Sequence, residues 1–535
     1  MATRPDIVIE HINASYVKIH TSEAIRYELS DFYTFDIPGA QFMAGGRFSK
    51  HSRGNWDGKI RLFNRRDSSL PTGLLHNLSE EFCKPRGYTS TTDETKCGSN
   101  VYRNGEISGD SLRSFIDELK ICAPNGDRIV CREDQMEAIL TGIRECRSLI
   151  LSPTSSGKTL IGYVVFQWMR RHYPRDRGLI IVPRIQLVDQ LCSDWCSFSK
   201  SLSREEGRLE SKDFHAIYGG REPLGHAPKD GRIVISTWQS IYKLPAEIFE
   251  QFGYILGDEA HEFKAKSLSH IMNSCVNAHF RLGLTGTLDG TNTHKLVLEG
   301  LFGGVRRVAT SRQLMDRGHI AKLNPIKTLV LKHPIDECKA LKKGEGSYEE
   351  EISFLFASEK RNRFITNLTL AQTKNTLVLF QRVETHGHIL FDMITAAAPK
   401  ERKIFYIHGG VDTDEREQVR AIVERETDAI ILASYGTFST GINIRNLHNV
   451  IFASPTKARI RNLQSIGRGL RLGDGKTSAT LFDIADDLRT SPNGPANFTY
   501  RHMEERLKIY IEEKFPYKIF PIDLSENSLY AAPKK

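Results

Sequence analysis

The sequence predicts an α/β protein in which two tandem parallel-sheet lobes follow a small N-terminal α+β domain. Three observations predict this class. Between Arg147 and about Val308, the short apolar runs SLILS, GLIIVP, RIVIST, YILGDEA and RLGLTGT alternate with amphipathic segments. That is the pattern of buried parallel strands joined by crossover helices. A second such series, IKTLVL, TLVLFQ, IFYIHG, AIILAS, NVIFAS and ATLFDIA, begins near Pro325. Finally, 535 residues exceed what one hydrophobic core supports.

Taken in order, residues 1–112 mix strand-like runs (DIVIEHI, YVKIH) with glycine-rich turns, and end near the polar segment TSTTDETKCGSN, which reads as a linker or exposed loop. We read this stretch as an accessory domain. Helical patterns at SLRSFIDELKI and CREDQMEAILTGIREC lead into the first lobe, 113–308. ATSRQLMDRGHIAKLNP bridges the lobes, its helical run ending at Gly318 and Pro325. The second lobe spans 309–488. After the loop TSPNGPANFTY, HMEERLKIYIEEKF predicts a closing helix, so 489–535 is expected to be a helical extension. No repeat appears at solenoid periods.

Composition narrows the function. Hydrophobic residues at 39% and charged residues at 26% fit an ordinary soluble globular chain. No stretch reaches the roughly 18 apolar residues of a membrane helix, and MATRPDIVIEH lacks a secretory hydrophobic region, so no membrane partner is expected. Nine cysteines, an odd number, form no disulfide framework. Cys192 and Cys196 are one helical turn apart with no second ligand pair nearby, so buried thiols are expected there rather than zinc. The net charge of +9 fits a polyanionic partner, because Lys and Arg gain affinity by releasing phosphate counterions.

The strongest local signal is LSPTSSGKT, directly after the strand SLIL and before the apolar helix LIGYVVFQWM. A phosphate-binding loop needs that context, since its N–H groups and the next helix N-terminus must face the phosphates. Ser152, Pro153, Thr154, Ser155, Ser156 and Gly157 would form the loop. Lys158 would contact the β and γ phosphates of ATP, and Thr159 would ligate Mg²⁺. The first glycine of the plain GxxxxGK[ST] pattern is Ser152 here. Downstream, Asp258-Glu259-Ala260-His261 (DEAH) follows the strand run YILG. There Asp258 can hold the metal and Glu259 can orient or deprotonate the attacking water. Hydrolysis also needs positive charge on the γ-phosphate, and QSIGRGLR offers Arg468 and Arg471, which would share a face of one helix.

In this order the motifs resemble those of superfamily 2 helicases, from Asn125 to Asp487. The resemblance implies two RecA-like lobes. It also assigns roles. Arg132 and Gln135 resemble the adenine-reading segment, with Asp134 at a position where an aromatic residue is common. Pro183 and Arg184 in VPR, with Gln190, and Thr237 in STWQ resemble strand-contacting motifs. LTGT, from Leu284 to Thr287, resembles the motif coupling hydrolysis to lobe movement. Phe380-Gln381 and Ser439-Thr440-Gly441-Ile442-Asn443 resemble motifs of the second lobe, with Thr440 on nucleic acid and Gly441 at the nucleotide. QSIGRGLR resembles the arginine-finger motif, with Gln464, Arg468 and Arg471 catalytic.

The N-terminal run RGNWDGKIRLF, followed by LPTGLL, looks like the accessory domain of UvsW-type phage recombination helicases. Its Arg and Lys residues could meet phosphates while Trp56 stacks on a base. The resemblance implies an ATP- and Mg²⁺-dependent DNA helicase that remodels branched DNA, such as forks and Holliday junctions, in replication, recombination and repair. ATP would bind between the lobes. A monomer in the cytoplasm is expected, the host's for a phage-encoded chain, with a single-strand-binding or recombination protein as a partner. The rival readings are a duplex translocase subunit, an RNA helicase, and a nucleic-acid binding or annealing protein with a degenerate ATPase.

Overall fold

All the apolar runs between Arg147 and Arg307 enter one seven-stranded sheet whose pairings are all parallel. The computed structural model describes residues 5–36, 57–93, 107–218, 233–263, 266–341, 346–441, 444–473, 475–491 and 493–525. Two compact units emerge, one of residues 1–152 with 157–308 and the other of 309–535 with 153–156.

In the first unit the sheet order is Val305–Arg307, Arg147–Leu151, Phe280–Thr285, Phe252–Gly257, Arg177–Val182, Ile233–Thr237, Phe214–Ile217. Alternate residues of each strand feed opposite cores, as the two-residue period requires. Ile150, Ile180 and Val182 join the helices Glu133–Glu145 and Lys158–His172, whereas Leu149, Leu179 and Ile181 join Asn292–Phe302. Burial on both faces is why these strands read as continuous apolar runs. Because the strands are parallel, the residues that follow them collect along a single sheet edge, where α/β folds bind ligands.

The second unit carries the order Ile404–Ile407, Ile430–Ser434, Thr376–Phe380, Asn449–Phe452, Ser478–Asp487, Ile326–Lys332, Tyr517–Asp523, again parallel throughout. The last strand departs from expectation. Residues 489–535 read as a helical extension, and the helix Phe498–Glu512 is present, yet Tyr517–Asp523 pairs along its full length with Ile326–Lys332. It is an exposed edge strand that carries Pro521, so it lacks the apolar run that marks the buried strands.

The N-terminal domain, within the first unit, is a four-stranded mixed sheet ordered Ser69–Pro71, Tyr16–Thr21, Ile7–His11, Ser90–Thr92. The helix Glu23–Phe32, capped by Ser22, packs on it. Its core extends into the first lobe, taking in Leu296. The seam is tight. Ala14 N–H donates to Val276 O at 2.8 Å, and the Arg147 guanidinium donates to Ala14 O. Arg281, 1% exposed, donates to Ser15 Oγ at 2.8 Å and to the carbonyls of Ala278 and Cys275, each at 2.9 Å. A Cβ on Gly73 would sit 2.0 Å from Glu299 O, so only glycine fits there. Trp56, expected as a base-stacking contact, lies outside the described residues; Arg61, five residues on, pairs with Asp57 at 3.2 Å. No helix among the described residues is long and apolar enough to cross a membrane.

Candidate nucleotide and strand-contact site

The phosphate loop leaves the carboxyl end of Arg147–Leu151 and enters the helix Lys158–His172. Two left-handed residues, Ser155 at φ 71° and Gly157 at φ 87°, turn the backbone between strand and helix. Ser152 N–H donates to Thr285 O at 2.9 Å, anchoring the loop's start to the neighbouring strand. Lys158 Nζ reaches back to Ser152 O at 3.4 Å, so the ammonium sits over the loop it is expected to serve. A Cβ at Gly157 would lie 2.3 Å from Gln135 Nε2, and Gln135 is itself buried. Gln135 Oε1 accepts the Arg132 N–H at 3.0 Å, while the Arg132 guanidinium grips Asp134 at 3.0 and 2.9 Å. The atypical Asp134 is thus the carboxylate that orients Arg132.

Asp258 and Glu259 leave the carboxyl end of Phe252–Gly257, two strands from the phosphate loop. Asp258 N–H donates to Ile181 O at 3.0 Å, and Asp258 Oδ1 accepts the Glu259 N–H at 2.9 Å. Glu259 is left-handed, at φ 47°. Burial, then the Glu259 charge, push the Asp258 carboxyl above the usual carboxylate range, with Lys158 opposing. Adjacent carboxylates held against their own repulsion beside a phosphate loop suit a divalent cation, which would neutralise both.

The remaining first-lobe motifs lie on the same sheet edge. Pro183 and Arg184 follow Arg177–Val182, and Pro183 O accepts from Gln239 Nε2 at 3.1 Å, which joins the VPR and STWQ segments. Arg184 is exposed and meets Glu262 at 3.2 Å. Thr237 is buried, its hydroxyl 2.9 Å from Ser240 Oγ, so its backbone is what it can offer a strand.

In the second unit, described by itself, Phe380-Gln381 ends the strand Thr376–Phe380, and Gln381 N–H donates to Ser454 Oγ at 3.0 Å. His386 Nδ1 shares that hydroxyl at 2.9 Å. Gly441 closes the helix Tyr435–Gly441, while the Thr440 side chain, Ile442 and Asn443 lie outside what is described. Gln464 and Arg468 lie on the helix Arg459–Gly469. The Arg468 guanidinium stands 5.7 Å from the Phe438 ring. Arg471 corrects the expectation of one shared helical face. The helix ends at Gly469, so Arg471 lies on the following turn, its N–H donating to Arg468 O at 3.3 Å. Buried Lys476 helps set this end, its Nζ donating to Gly469 O at 2.7 Å.

Family models match three parts of the chain. These are "DNA helicase UvsW, N-terminal" over residues 6–93, "Type III restriction enzyme, res subunit" over 128–290, and "Helicase conserved C-terminal domain" over 359–473. The ATP-dependent DNA helicase uvsW of Enterobacteria phage T4 is 33% identical over 97% of this chain and 100% of its own length. The chain belongs to the UvsW helicase family. DNA 3'-5' translocase XPB2 of Sulfurisphaera tokodaii is 24% identical, over 67% of this chain and 82% of its own. The ATP-dependent Type ISP restriction-modification enzyme LlaBIII, solved bound to DNA, shares the fold at TM-score 0.53 and 16% identity, over 75% of this chain and 32% of that one.

Within this UvsW-family site, sequence reasoning missed the residues that tie the motifs together. His261, buried, places Nδ1 3.0 Å from Thr285 Oγ1 and 3.3 Å from Glu259 Oε2. Thr285 Oγ1 in turn donates to Thr287 O at 3.0 Å, and His294 Nε2 lies 2.9 Å from His261 O. The DEAH segment is thereby joined to the TGT segment through one imidazole. The fourth position of DEAH was the available signal. Cys192 and Cys196 lie on the helix Ile185–Phe198, where burial pushes the Cys192 thiol up to about 12; no metal-binding cluster appears among the described residues.

Proposed function

We propose that this UvsW-family protein is an ATP-driven DNA helicase that remodels branched DNA, and that the residues assembled on the first lobe's sheet edge bind and hydrolyse the nucleotide. The observation that carries this reading is the placement of Lys158, Asp258, Glu259 and His261 along the carboxyl edge of one parallel sheet. ATP is the substrate. The loop N–H groups and Lys158 receive its phosphates. Thr159 and Asp258 would hold Mg²⁺, which supplies charge neutralisation when bound. Glu259 sits one residue beyond Asp258 with left-handed backbone, and would orient or deprotonate the attacking water. His261 holds Glu259 and reports its state to Thr285. Arg468, Arg471 and Gln464, all on the second unit, would be the residues to supply positive charge to the γ-phosphate. Exposed Arg184 and the Thr237 backbone grip a strand through its phosphates, a contact that ignores sequence.

The N-terminal domain, 1–112, would supply junction preference. The test measures ATPase stimulation and strand displacement across single-stranded, duplex, forked and four-way DNA, with an RNA duplex as comparator. Forked and four-way DNA should stimulate most. Equal stimulation by all DNA forms, or preferential unwinding of RNA, refutes the branched-DNA assignment.

A further inference from the structure

A cavity of about 660 Å³ opens in the seam between the N-terminal domain and the first lobe. Its walls include Arg147 and His279, at the starts of the strands Arg147–Leu151 and Phe280–Thr285. The phosphate loop leaves the opposite end of the Arg147 strand. Five residues at about 3.3 Å each separate the two places by roughly 15 Å, so this cavity is not the nucleotide site described above.

Its polar lining is rich in donors. His11 and Asn13 come from the first hairpin of the N-terminal domain, His76 from the helical segment after Gly73. Asn13 Oδ1 already accepts the N–H groups of Ser15 and Tyr16, at 2.7 and 3.0 Å, which leaves its NH₂ as the group it can offer. Glu145 is the only carboxylate among the lining residues, and Arg306 Nε holds it at 2.8 and 3.0 Å. Among the described residues Arg147 pairs with no carboxylate. It donates to Ala14 O, and its other terminal nitrogen, Nη1, is buried without a hydrogen-bond partner among the described residues. Burial, then the Arg147 charge, hold His11 below the usual imidazole range and His279 at about 4. The imidazoles are thus held toward their neutral form and serve as hydrogen-bonding groups, while the Arg147 guanidinium is the charge in this wall that an anion would offset. Beside this cluster stands an apolar wall of Ile12, 53% exposed, with Leu75 and Val276. The volume lies within the range of about 300–1,000 Å³ that small ligands occupy.

We propose that this seam cavity binds a nucleoside 5′-phosphate, its phosphate against Arg147 and the imidazoles and its base against Ile12, Leu75 and Val276. Such a group arrives either as a free nucleotide or as the 5′-terminal nucleotide of a DNA strand. Because both the N-terminal domain and the lobe line the cavity, the ligand ties one to the other.

Titration calorimetry on the full chain tests this, with dTMP, thymidine and inorganic phosphate as probes. Three proteins are compared, wild type, Lys158→Ala and His76→Glu. His76 is exposed, and its ring lies 3.4 Å from where a Cβ on Gly304 would stand, so a carboxylate there faces the cavity without disturbing a core. Unchanged DNA-stimulated ATPase in His76→Glu verifies its fold, and Arg147→Gln repeats the test from the lobe side. Wild type and Lys158→Ala should bind dTMP at one site, at least about tenfold more tightly than thymidine or phosphate, and His76→Glu should weaken it about tenfold. A second arm compares 5′-phosphorylated with 5′-hydroxyl oligonucleotides. If only the oligonucleotide discriminates, and the discrimination vanishes in His76→Glu, the source is a strand end. Binding of both probe types that is indifferent to His76→Glu and Arg147→Gln, or dTMP binding lost in Lys158→Ala, overturns the proposal.

Discussion

In the proposed reaction, Lys158 and Glu259 occupy positions where the chemistry would tolerate no substitute. An ammonium over the phosphate loop stabilises charge that develops on the phosphates, so Lys158→Ala should lower DNA-stimulated turnover by about 10² or more. Glu259→Gln keeps the shape but removes the proposed base, and a loss of about 10² to 10⁴ is expected. Arg468→Ala should cost on the order of 10³ if Arg468 is the arginine finger proposed above. Steady-state phosphate release checks all three, and near wild-type turnover in any one removes that residue from the mechanism. Gly157 is demanding for a different reason. Its φ of 87° strains any other residue, and a methyl group would strike Gln135, which cannot swing away cheaply because it is buried and holds the Arg132 N–H. Gly157→Ala should therefore abolish detectable ATP binding in an equilibrium assay while leaving the melting temperature of the second lobe unchanged.

At the level of elements, the second lobe is pinned by a buried charge network. Arg361, fully buried, meets Asp486 at 2.8 and 3.1 Å and donates to Ala453 O at 2.8 Å, while His333 Nε2 sits 3.0 Å from the same carboxylate. This joins the helix Glu359–Leu370 to the strands Ile326–Lys332 and Ser478–Asp487. Burial alone would raise the Asp486 carboxyl, but the Arg361 charge and the His333 hydrogen bond hold it well below the usual carboxylate range. A carboxyl depressed in the folded state stabilises above its unfolded value, about 3.9, and that contribution drains away as pH falls toward the folded value. Asp486→Asn leaves Arg361 without its counter-charge and should cost about 3–5 kcal/mol at neutral pH. Thermal melts between pH 7 and pH 3 should show a flatter acid limb for the variant. A parallel pair of acid limbs would mean that Asp486 does not carry this linkage.

Across the first unit as a whole, the N-terminal domain and the lobe share a core and a backbone seam, so they should move as one body. Gly73→Val would place side-chain atoms where Glu299 O now lies, 2.0 Å from the position of a Cβ, and would force the seam apart. Overpacking of this kind costs at least about 1–3 kcal/mol. In differential scanning calorimetry the variant should show a separate, earlier transition for the N-terminal domain. Its ATPase on single-stranded DNA should persist while stimulation by forked DNA drops. A single unaltered transition would show that the seam is not what couples them.

How much of this was legible beforehand follows from the reach of each interaction. Buried parallel strands must be apolar on both faces, so SLIL before SPTSSGKT and YILG before DEAH announced the lobe architecture in local sequence, and with it the strand ends at which the nucleotide site is proposed. The pattern could not announce contacts between distant segments. His261 meets Thr285 across 24 residues, and Arg281 meets Ser15 across 266. The end of the helix at Gly469, short of Arg471, is reinforced by Lys476 from the following turn. The strand Tyr517–Asp523 exists because Ile326–Lys332 offers it an edge, not because its own residues demand it. Local sequence therefore determined the lobes, the phosphate loop and the acidic pair, since each depends on neighbours within a few residues. Which imidazole links the motifs, which glycine admits the N-terminal domain and where the Arg147 guanidinium keeps an unsatisfied donor were decided only when folding brought remote chain segments within hydrogen-bond range.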